Sequence, residues 1–179
     1  MSTSSGTPPK AVTLTIRQES PSDIPAIHAL TEAAFLDAPH ASHTEQFLVD
    51  ALRKAGALSI SLVAEDDGVT LGHVAVSPVS ISDGAPGWYG LGPISVTPER
   101  QRQGIGSRLM VEVLQGLREV GASGCVLVGD PAYYARFGFR SGKNLVLPDV
   151  PPEYVQAISF SRSLPQGIVK FHVAFGAQG

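Results

Sequence analysis

Cysteine is almost absent from the sequence, which has a single one, Cys125, in 179 residues. One cysteine cannot form an internal disulfide, and this scarcity is typical of proteins from a reducing compartment. Cys125 lies in the short apolar run GCVLVG, which predicts a buried thiol in a strand rather than a nucleophile. Long hydrophobic runs are also missing, because none reaches the roughly 18 residues that a membrane-spanning helix needs.

The N-terminal residues MSTSSGTPPK are polar and lack the apolar core of a signal peptide. We therefore expect a disordered leader over residues 1–10, a cytoplasmic location and no membrane partner. The remaining residues, 11–179, are predicted to form a single domain, because 43% of the chain is hydrophobic and can supply one core.

The sequence also lacks a strong excess of positive or negative charge. The chain has 13 Lys and Arg residues against 16 Asp and Glu residues, which gives a net charge of −3 at pH 7. A mildly acidic balance argues against a general nucleic-acid-binding protein.

Hydrophobic periodicity predicts elements in the order β α α β β β α β α β β. A DDG turn between SISLVAE and VTLGHVAVSPVSI predicts a hairpin, and GIVKFHVAF predicts a final strand. One long helix runs from Ile105 to about Val120. Its apolar residues recur at helical spacing and are Ile105, Leu109, Val113, Leu114 and Leu117. This order predicts an α+β or mixed α/β domain.

The stretch ERQRQGIGSRLM, residues 99–110, concentrates arginine, glutamine and glycine at the start of that helix. A helix N-terminus has up to four backbone N–H groups without intrahelical partners, together with the positive end of the helix dipole. Both features favour an anion. Gly104 and Gly106 lack a Cβ, so a ligand can approach the main chain closely. Positive potential is expected from Arg100, Arg102 and Arg108.

Two common phosphate-binding motifs do not match this stretch. A P-loop requires Gly-x-x-x-x-Gly-Lys-Ser/Thr, and no lysine follows these glycines. The dinucleotide-binding fingerprint requires a third glycine at position 109, where this chain has Leu109. On the glycines alone, an anion site and an ordinary helix start with solvated arginines both remain open.

The wider segment ISVTPERQRQGIGSRLM resembles the acetyl-CoA signature of the GNAT superfamily of N-acetyltransferases. That signature is a strand ending in Val-x-Pro, followed by Gln/Arg-x-x-Gly-x-Gly/Ala at the start of a long helix. The matching positions are Val96, Pro98, Gln101, Gly104 and Gly106. A second segment, VLVGDPAYYARFGF, is similar to the next strand and short helix of the family, with Tyr134 four residues before Gly138. It also resembles a bacterial branch of predicted N-acetyltransferases.

The resemblance implies a mostly antiparallel, splayed central sheet flanked by helices. It also implies transfer of an acetyl group from acetyl-CoA to a primary amine of a small molecule or peptide, by direct attack on the thioester. The pyrophosphate of acetyl-CoA would be held by Gln101 and by main-chain amides at the helix start. The residues implied there are Arg102, Gln103, Gly104, Ile105, Gly106 and Ser107.

The strand before the helix is implied to bind the pantetheine arm through Ile94, Ser95 and Val96, with one N–H facing the thioester carbonyl. The Gly92-Pro93 pair suits a bulge in that strand. Tyr134 is implied to contact acetyl-CoA and to protonate the departing thiolate, because a phenol with a pKa near ~10 is protonated at pH 7.

The general base for the amine stays open between four side chains and a water relay; the side chains are His73, His43, Glu45 and Asp130. Glu45 also fits a helix-start charge, and Asp130, before a proline, fits a helix cap. The His-x-x-His pair that ends at His43 lacks further ligands nearby, so we expect no metal. A module that binds or senses acyl-CoA without turnover is the alternative function, and a homodimer is open because many relatives form dimers.

Overall fold

The computed structural model describes residues 13–142, 144–161 and 163–176. The leader predicted over residues 1–10 lies outside the described residues. The helices are α1 (Ile24–Phe35), α2 (Glu45–Lys54), α3 (Ile105–Glu119) and α4 (Pro131–Tyr134). The strands are β1 (Thr15–Gln18), β2 (Ile60–Asp66), β3 (Val69–Pro78), β4 (Ser80–Ile81), β5 (Trp88–Val96), β6 (Gly124–Val128), β7 (Arg140–Ser141), β8 (Leu145–Val146), β9 (Val155–Ser159) and β10 (Gly167–Lys170). Within these ranges, no helix has both the length and the apolar character to cross a membrane.

Seven strands form the main sheet, in the order β1-β2-β3-β5-β6-β9-β7. Its neighbouring strands are antiparallel apart from β5 and β6, which run parallel because α3 connects them. A smaller sheet has the order β4-β10-β8. The predicted mixed α/β fold with a mostly antiparallel sheet flanked by helices is confirmed.

Helix α3 covers one face of the main sheet. Its five predicted core positions are all buried, as expected from their spacing. Each such side chain contributes about 1.5–3 kcal/mol when fully removed from water. Gly72 of β3 faces this helix, because a Cβ there would lie 2.9 Å from Leu109. Neighbouring strand residues point to opposite faces, so His73 faces the other side, where α1 and α2 pack through Ile27 and Val49.

Two predicted strands differ from those in the structure. VTLGHVAVSPVSI was expected to be one strand, but it divides at Val79 into β3 and β4, because β4 leaves β5 and pairs with β10 in the smaller sheet. The prediction for GIVKFHVAF is wrong after Lys170. Residues Val173–Gly176 form a 3-10 turn instead, which brings the rings of Phe171 and Phe175 to a centroid distance of 4.8 Å. Packing between these two rings outweighs the apolar alternation of the segment.

Candidate active site

Strands β5 and β6 separate in the middle of the main sheet. They pair only between residues 88–90 of β5 and 124–126 of β6. Residues 91–96 of β5 run beside β3 on one side, and within the described part of the chain they have no partner strand on the side of β6. The splay therefore creates an open edge inside the sheet, where main-chain N–H and C=O groups can bind a ligand.

A bulge in β5 lies at the start of this open edge. The register between β3 and β5 shifts by one residue between Val74 and Val76. Two residues of β5, Gly92 and Pro93, therefore lie opposite one residue of β3, Ala75. This is the two-against-one arrangement of a β-bulge, which bends a strand away from its neighbour.

The register also determines which main-chain groups face the open edge. The Thr97 N–H donates to the Leu71 carbonyl at 2.8 Å, toward β3. Because the groups of successive residues alternate in direction along an antiparallel strand, the main chain of Ser95 also faces β3. Ile94 and Val96 therefore direct theirs to the open edge. The Ser95 side chain is buried as well, and its Oγ has no hydrogen-bond partner within the described part of the chain.

The glycine loop, residues 101–107, directs its amides outward at the start of α3. Arg102 and Gly104 both have left-handed backbone conformations, with φ of 64° and 86°. The first helical bond runs from the Arg108 N–H to the Gly104 carbonyl at 3.1 Å. The amides of residues 105–107 consequently have no partner inside the helix, and they lie at the positive end of its dipole.

These amides border a cavity of about 460 Å³, which we call the glycine-loop cavity. Its lining comprises Val96, Arg100, Gln101, Arg102, Gly104, Ile105, Gly106, Ser107, Tyr133 and Arg136. All three charged residues in this lining are arginines. A Cβ on Gly106 would lie 3.2 Å from the Tyr133 hydroxyl, so glycine keeps this part of the cavity open. The Arg136 guanidinium lies 4.5 Å from the centroid of the Tyr133 ring. The cavity thus combines unpaired amides with positive charge, as an anion site requires.

Three predicted contributors to the anion site have other contacts. Gln101 lines the cavity, and its Nε2 also donates to the Val96 carbonyl at 3.1 Å. Gln103 does not line the cavity; its Oε1 accepts from Arg100 Nε at 2.9 Å, which braces the loop. Arg108 points away, because its Nη1 donates to the Leu14 carbonyl at 3.2 Å. Arg108 is therefore not among the residues that line the cavity.

A second cavity, of about 310 Å³, adjoins the β5 bulge; we call it the bulge cavity. Its lining comprises Phe35, Glu45, Leu48, Leu91, Gly92, Pro93, Ile94, Leu127, Val128, Tyr134, Phe171 and Phe175. Glu45 and Tyr134 are the two polar side chains of this set. The cavity is therefore an apolar space with one carboxylate and one phenol beside the open edge.

Tyr134 is fixed by the short helix α4. Asp130 caps this helix, because its Oδ1 accepts from the Ala132 N–H at 3.0 Å. The Tyr134 ring packs edge-on against Tyr133 and Phe139, at centroid distances of 4.9 and 6.1 Å. Burial, with smaller effects of Tyr133 and Asp130, raises the pKa of Tyr134 to about 12. The phenol is thus protonated throughout the neutral range and can donate a proton.

His73, one of the candidate bases, lines neither of the two cavities. It is fully buried on the face that α1 and α2 cover, and its Nε2 lies 2.8 Å from Ser61 Oγ. Burial, with a smaller effect of the Arg53 charge, lowers the pKa of His73 to about 3. His73 is therefore a neutral core residue at pH 7.

The buried imidazole predicts a pH dependence of stability. An unfolded chain protonates His73 near pH ~6.5, whereas the folded chain does so near pH 3. As pH falls below 6.5 the unfolded state binds more protons, so the free energy of unfolding should fall by up to about 1.4 kcal/mol per pH unit. Urea denaturation between pH 6.5 and 4.5 measures this slope. His73→Gln should flatten it, while the exposed control His40→Gln should keep it; equal slopes for both variants would refute the assignment.

The other candidate bases have clear local roles. His43 is exposed, and its carbonyl accepts from Gln46 Nε2 at 3.3 Å. Asp130 is the predicted helix cap. Glu45 begins α2, and its Oε1 accepts from the Ser42 N–H at 2.8 Å, in keeping with a helix-start charge. Of these candidates, Glu45 alone lines one of the two cavities.

Sequence reasoning missed several residues that line the cavities. Arg136 follows Tyr133 by three residues, a spacing that places two side chains on one side of a helical turn and that would have indicated the pair. No local signal pointed to Phe35, Phe171 or Phe175, which come together only through the fold. Among the described residues, no group of three or more His, Cys, Asp and Glu side chains is arranged to hold a metal ion.

Known proteins are similar to this chain in both sequence and fold. Residues 15–142 match the family model described as an acetyltransferase (GNAT) domain. Over 126 residues, 70% of this chain and 72% of the relative, the sequence is 41% identical to the uncharacterized N-acetyltransferase YhbS of Escherichia coli K12.

Two solved structures are similar over nearly the whole chain. One is a GNAT family acetyltransferase from Brucella melitensis in complex with acetyl-CoA, with 49% identity and a TM-score of 0.81 over 90% of this chain and 97% of that one. The other is E. coli YhbS in complex with CoA, with 35% identity and a TM-score of 0.85 over 97% of each chain.

Proposed function

The chain belongs to the GNAT family of acetyltransferases, and we propose that it transfers the acetyl group of acetyl-CoA to a primary amine of a small molecule or peptide. The observation that carries the proposal is the pair of cavities on the splay between β5 and β6. One is cationic and lined by unpaired amides, and the other is apolar with a phenol and a carboxylate.

The glycine-loop cavity fits the pyrophosphate of coenzyme A. Amides of residues 105–107 supply N–H donors, and Arg100, Arg102 and Arg136 supply positive charge. Gly106 leaves the space that a side chain would fill. The Brucella relative in complex with acetyl-CoA and YhbS in complex with CoA support the same cosubstrate here.

The open edge of β5 fits the pantetheine arm and the thioester. Ile94 and Val96 direct main-chain groups to this edge, and an N–H there polarises the thioester carbonyl. Tyr134 donates its hydroxyl proton to the sulfur as the C–S bond breaks and the amine nitrogen forms the new C–N bond. Because the pKa of Tyr134 is about 12, its proton is present throughout the neutral and mildly alkaline range.

Calorimetric titration with acetyl-CoA, with ATP as the control, tests the proposal. We expect micromolar affinity for acetyl-CoA and at least about tenfold weaker binding of ATP, which shares the adenosine and phosphates but lacks the pantetheine arm. Equal affinity for the two ligands would favour a nucleotide-phosphate site. Absence of acetyl-CoA binding would refute the cosubstrate.

A further inference from the structure

We infer that the bulge cavity binds the acceptor and that Glu45 holds the acceptor's ammonium group; this inference rests on the acetyl transfer proposed above. The expected acceptor is a small primary monoamine with an aromatic or aliphatic body. The bulge cavity includes Tyr134 and residues 92–94 of the bulge. A molecule bound there lies beside the groups assigned to the sulfur and to the thioester carbonyl, where an attacking nitrogen has to be.

Glu45 is the one Asp, Glu, Lys, Arg or His residue of the cavity lining. Its two oxygens have different surroundings. Oε1 accepts from the N–H and the Oγ of Ser42, at 2.8 and 3.1 Å. Oε2 is buried and has no hydrogen-bond partner among residues 13–142, 144–161 and 163–176. The bonds to Ser42 fix the carboxylate, and the second oxygen lacks a hydrogen-bond donor from the described part of the chain, which an ammonium group bound in the cavity would supply.

A primary ammonium group satisfies this buried oxygen better than a neutral group does. It supplies the opposite charge and N–H donors, and hydrogen bonds between two charged groups are roughly twice as strong as neutral ones. A neutral alcohol or amide would leave the negative charge of Glu45 uncompensated in an apolar space. The acceptor is therefore an amine that enters as a cation.

The remaining walls limit the acceptor to one charge and an apolar body. Three phenylalanines and three leucines contribute to them; these residues are Phe35, Phe171, Phe175, Leu48, Leu91 and Leu127. A second cationic group would lose its hydration there without a partner. The aromatic rings, in contrast, favour contact with an aryl or alkyl chain. Polyamines and aminoglycosides do not fit this lining.

Glu45 also accounts for the proton that must leave the amine before it attacks. The ammonium passes this proton to Oε2, and the nitrogen lone pair then forms the C–N bond while the C–S bond breaks. The sulfur takes the hydroxyl proton of Tyr134. The second nitrogen proton restores Tyr134, and Glu45 releases the first to solvent. One amide, one thiol and one proton are the products.

The first test compares amines by thiol release from acetyl-CoA. We expect faster release with 2-phenylethylamine than with 1,5-diaminopentane at equal concentration. Glu45→Gln keeps an oxygen for Ser42 but removes the charge, so it should lower kcat/KM for 2-phenylethylamine by about 10- to 100-fold. The exposed α1 variant Glu32→Gln is the matched control and should keep the parent value.

The second test separates charge recognition from packing. 2-Phenylethanol has the same body without the ammonium, so its inhibition constant should not rise in Glu45→Gln, which removes the charge that a neutral alcohol leaves uncompensated. The Kd for acetyl-CoA should also be unchanged, which isolates this inference from the proposed cosubstrate. The inference is overturned by no thiol release with 2-phenylethylamine, by a preference for the diamine, or by full activity of Glu45→Gln. It is also overturned if hexanoyl-CoA binds more tightly than acetyl-CoA, because the cavity would then hold an acyl chain.

Discussion

Replacing Gly104 with glutamate is expected to weaken acetyl-CoA binding by at least about 100-fold. The residue has a φ of 86°, which L side chains adopt at a cost. More important, the new carboxylate would compete with the pyrophosphate for the unpaired amides of residues 105–107 and would repel it. Placing like charges together costs several kcal/mol, and each 1.4 kcal/mol corresponds to about tenfold in Kd. Calorimetry with acetyl-CoA measures the change.

Gly84 offers a matched control for this variant. It has a φ of 83° and, like Gly104, no heavy atom within 4 Å of a built Cβ. It lines neither the glycine-loop cavity nor the bulge cavity. Gly84→Glu therefore adds the same charge and the same backbone cost elsewhere on the surface, and should leave the Kd unchanged. Equal affinities of the two variants for acetyl-CoA would show that the glycine loop is not part of the binding site.

Most of the glycine-loop cavity could be predicted from the sequence, because seven of its ten lining residues lie between positions 100 and 107. A helix start, two glycines and neighbouring arginines all lie within residues 100–108, and the unpaired amides and dipole of a helix N-terminus favour an anion there. The side-chain directions could not be predicted in the same way. Arg108 donates to the carbonyl of Leu14, just before β1, and the two residues are 94 positions apart in sequence. Ser95 faces β3 because of the register, which depends on strand pairing.

The bulge cavity could not be predicted because it exists only in the folded chain. Phe35 ends α1, Glu45 begins α2, and Phe171 and Phe175 belong to the C-terminal segment. Each of these residues has an ordinary local explanation, such as an apolar helix position or a helix-start charge. The wrong prediction of a strand after Lys170 also concealed the contact between Phe171 and Phe175. In an extended strand these two rings would lie on one face but well apart, whereas the 3-10 turn packs them together. His73 is the converse case, because burial turned a candidate base into a core residue.

Replacing Tyr134 with phenylalanine is expected to lower kcat by about 10²- to 10⁴-fold, the usual range for loss of a general acid. Tyr134 is the one residue of the bulge-cavity lining whose side chain has a hydroxyl group. Without it, the thiolate leaves with no proton from the protein. The ring remains and keeps its packing against Phe139, so the Kd for acetyl-CoA should change by less than about threefold. Single-turnover thiol release at saturating acetyl-CoA, with 2-phenylethylamine as the acceptor, measures the rate.

The variant Tyr133→Phe is the control, because it removes a hydroxyl group from the neighbouring residue. The hydroxyl of Tyr133 lies beside Gly106 in the glycine-loop cavity, and its ring supports the guanidinium of Arg136. Tyr133→Phe should therefore affect the Kd for acetyl-CoA more than the rate at saturation, which is the reverse of Tyr134→Phe. The raised pKa of Tyr134 also limits how the pH dependence of the rate can be interpreted. Tyr134 ionises near pH 12, so a fall in rate between pH 8 and 10 would have to come from another group. An undiminished rate in Tyr134→Phe would assign protonation of the thiolate to solvent and leave Tyr134 as a packing residue.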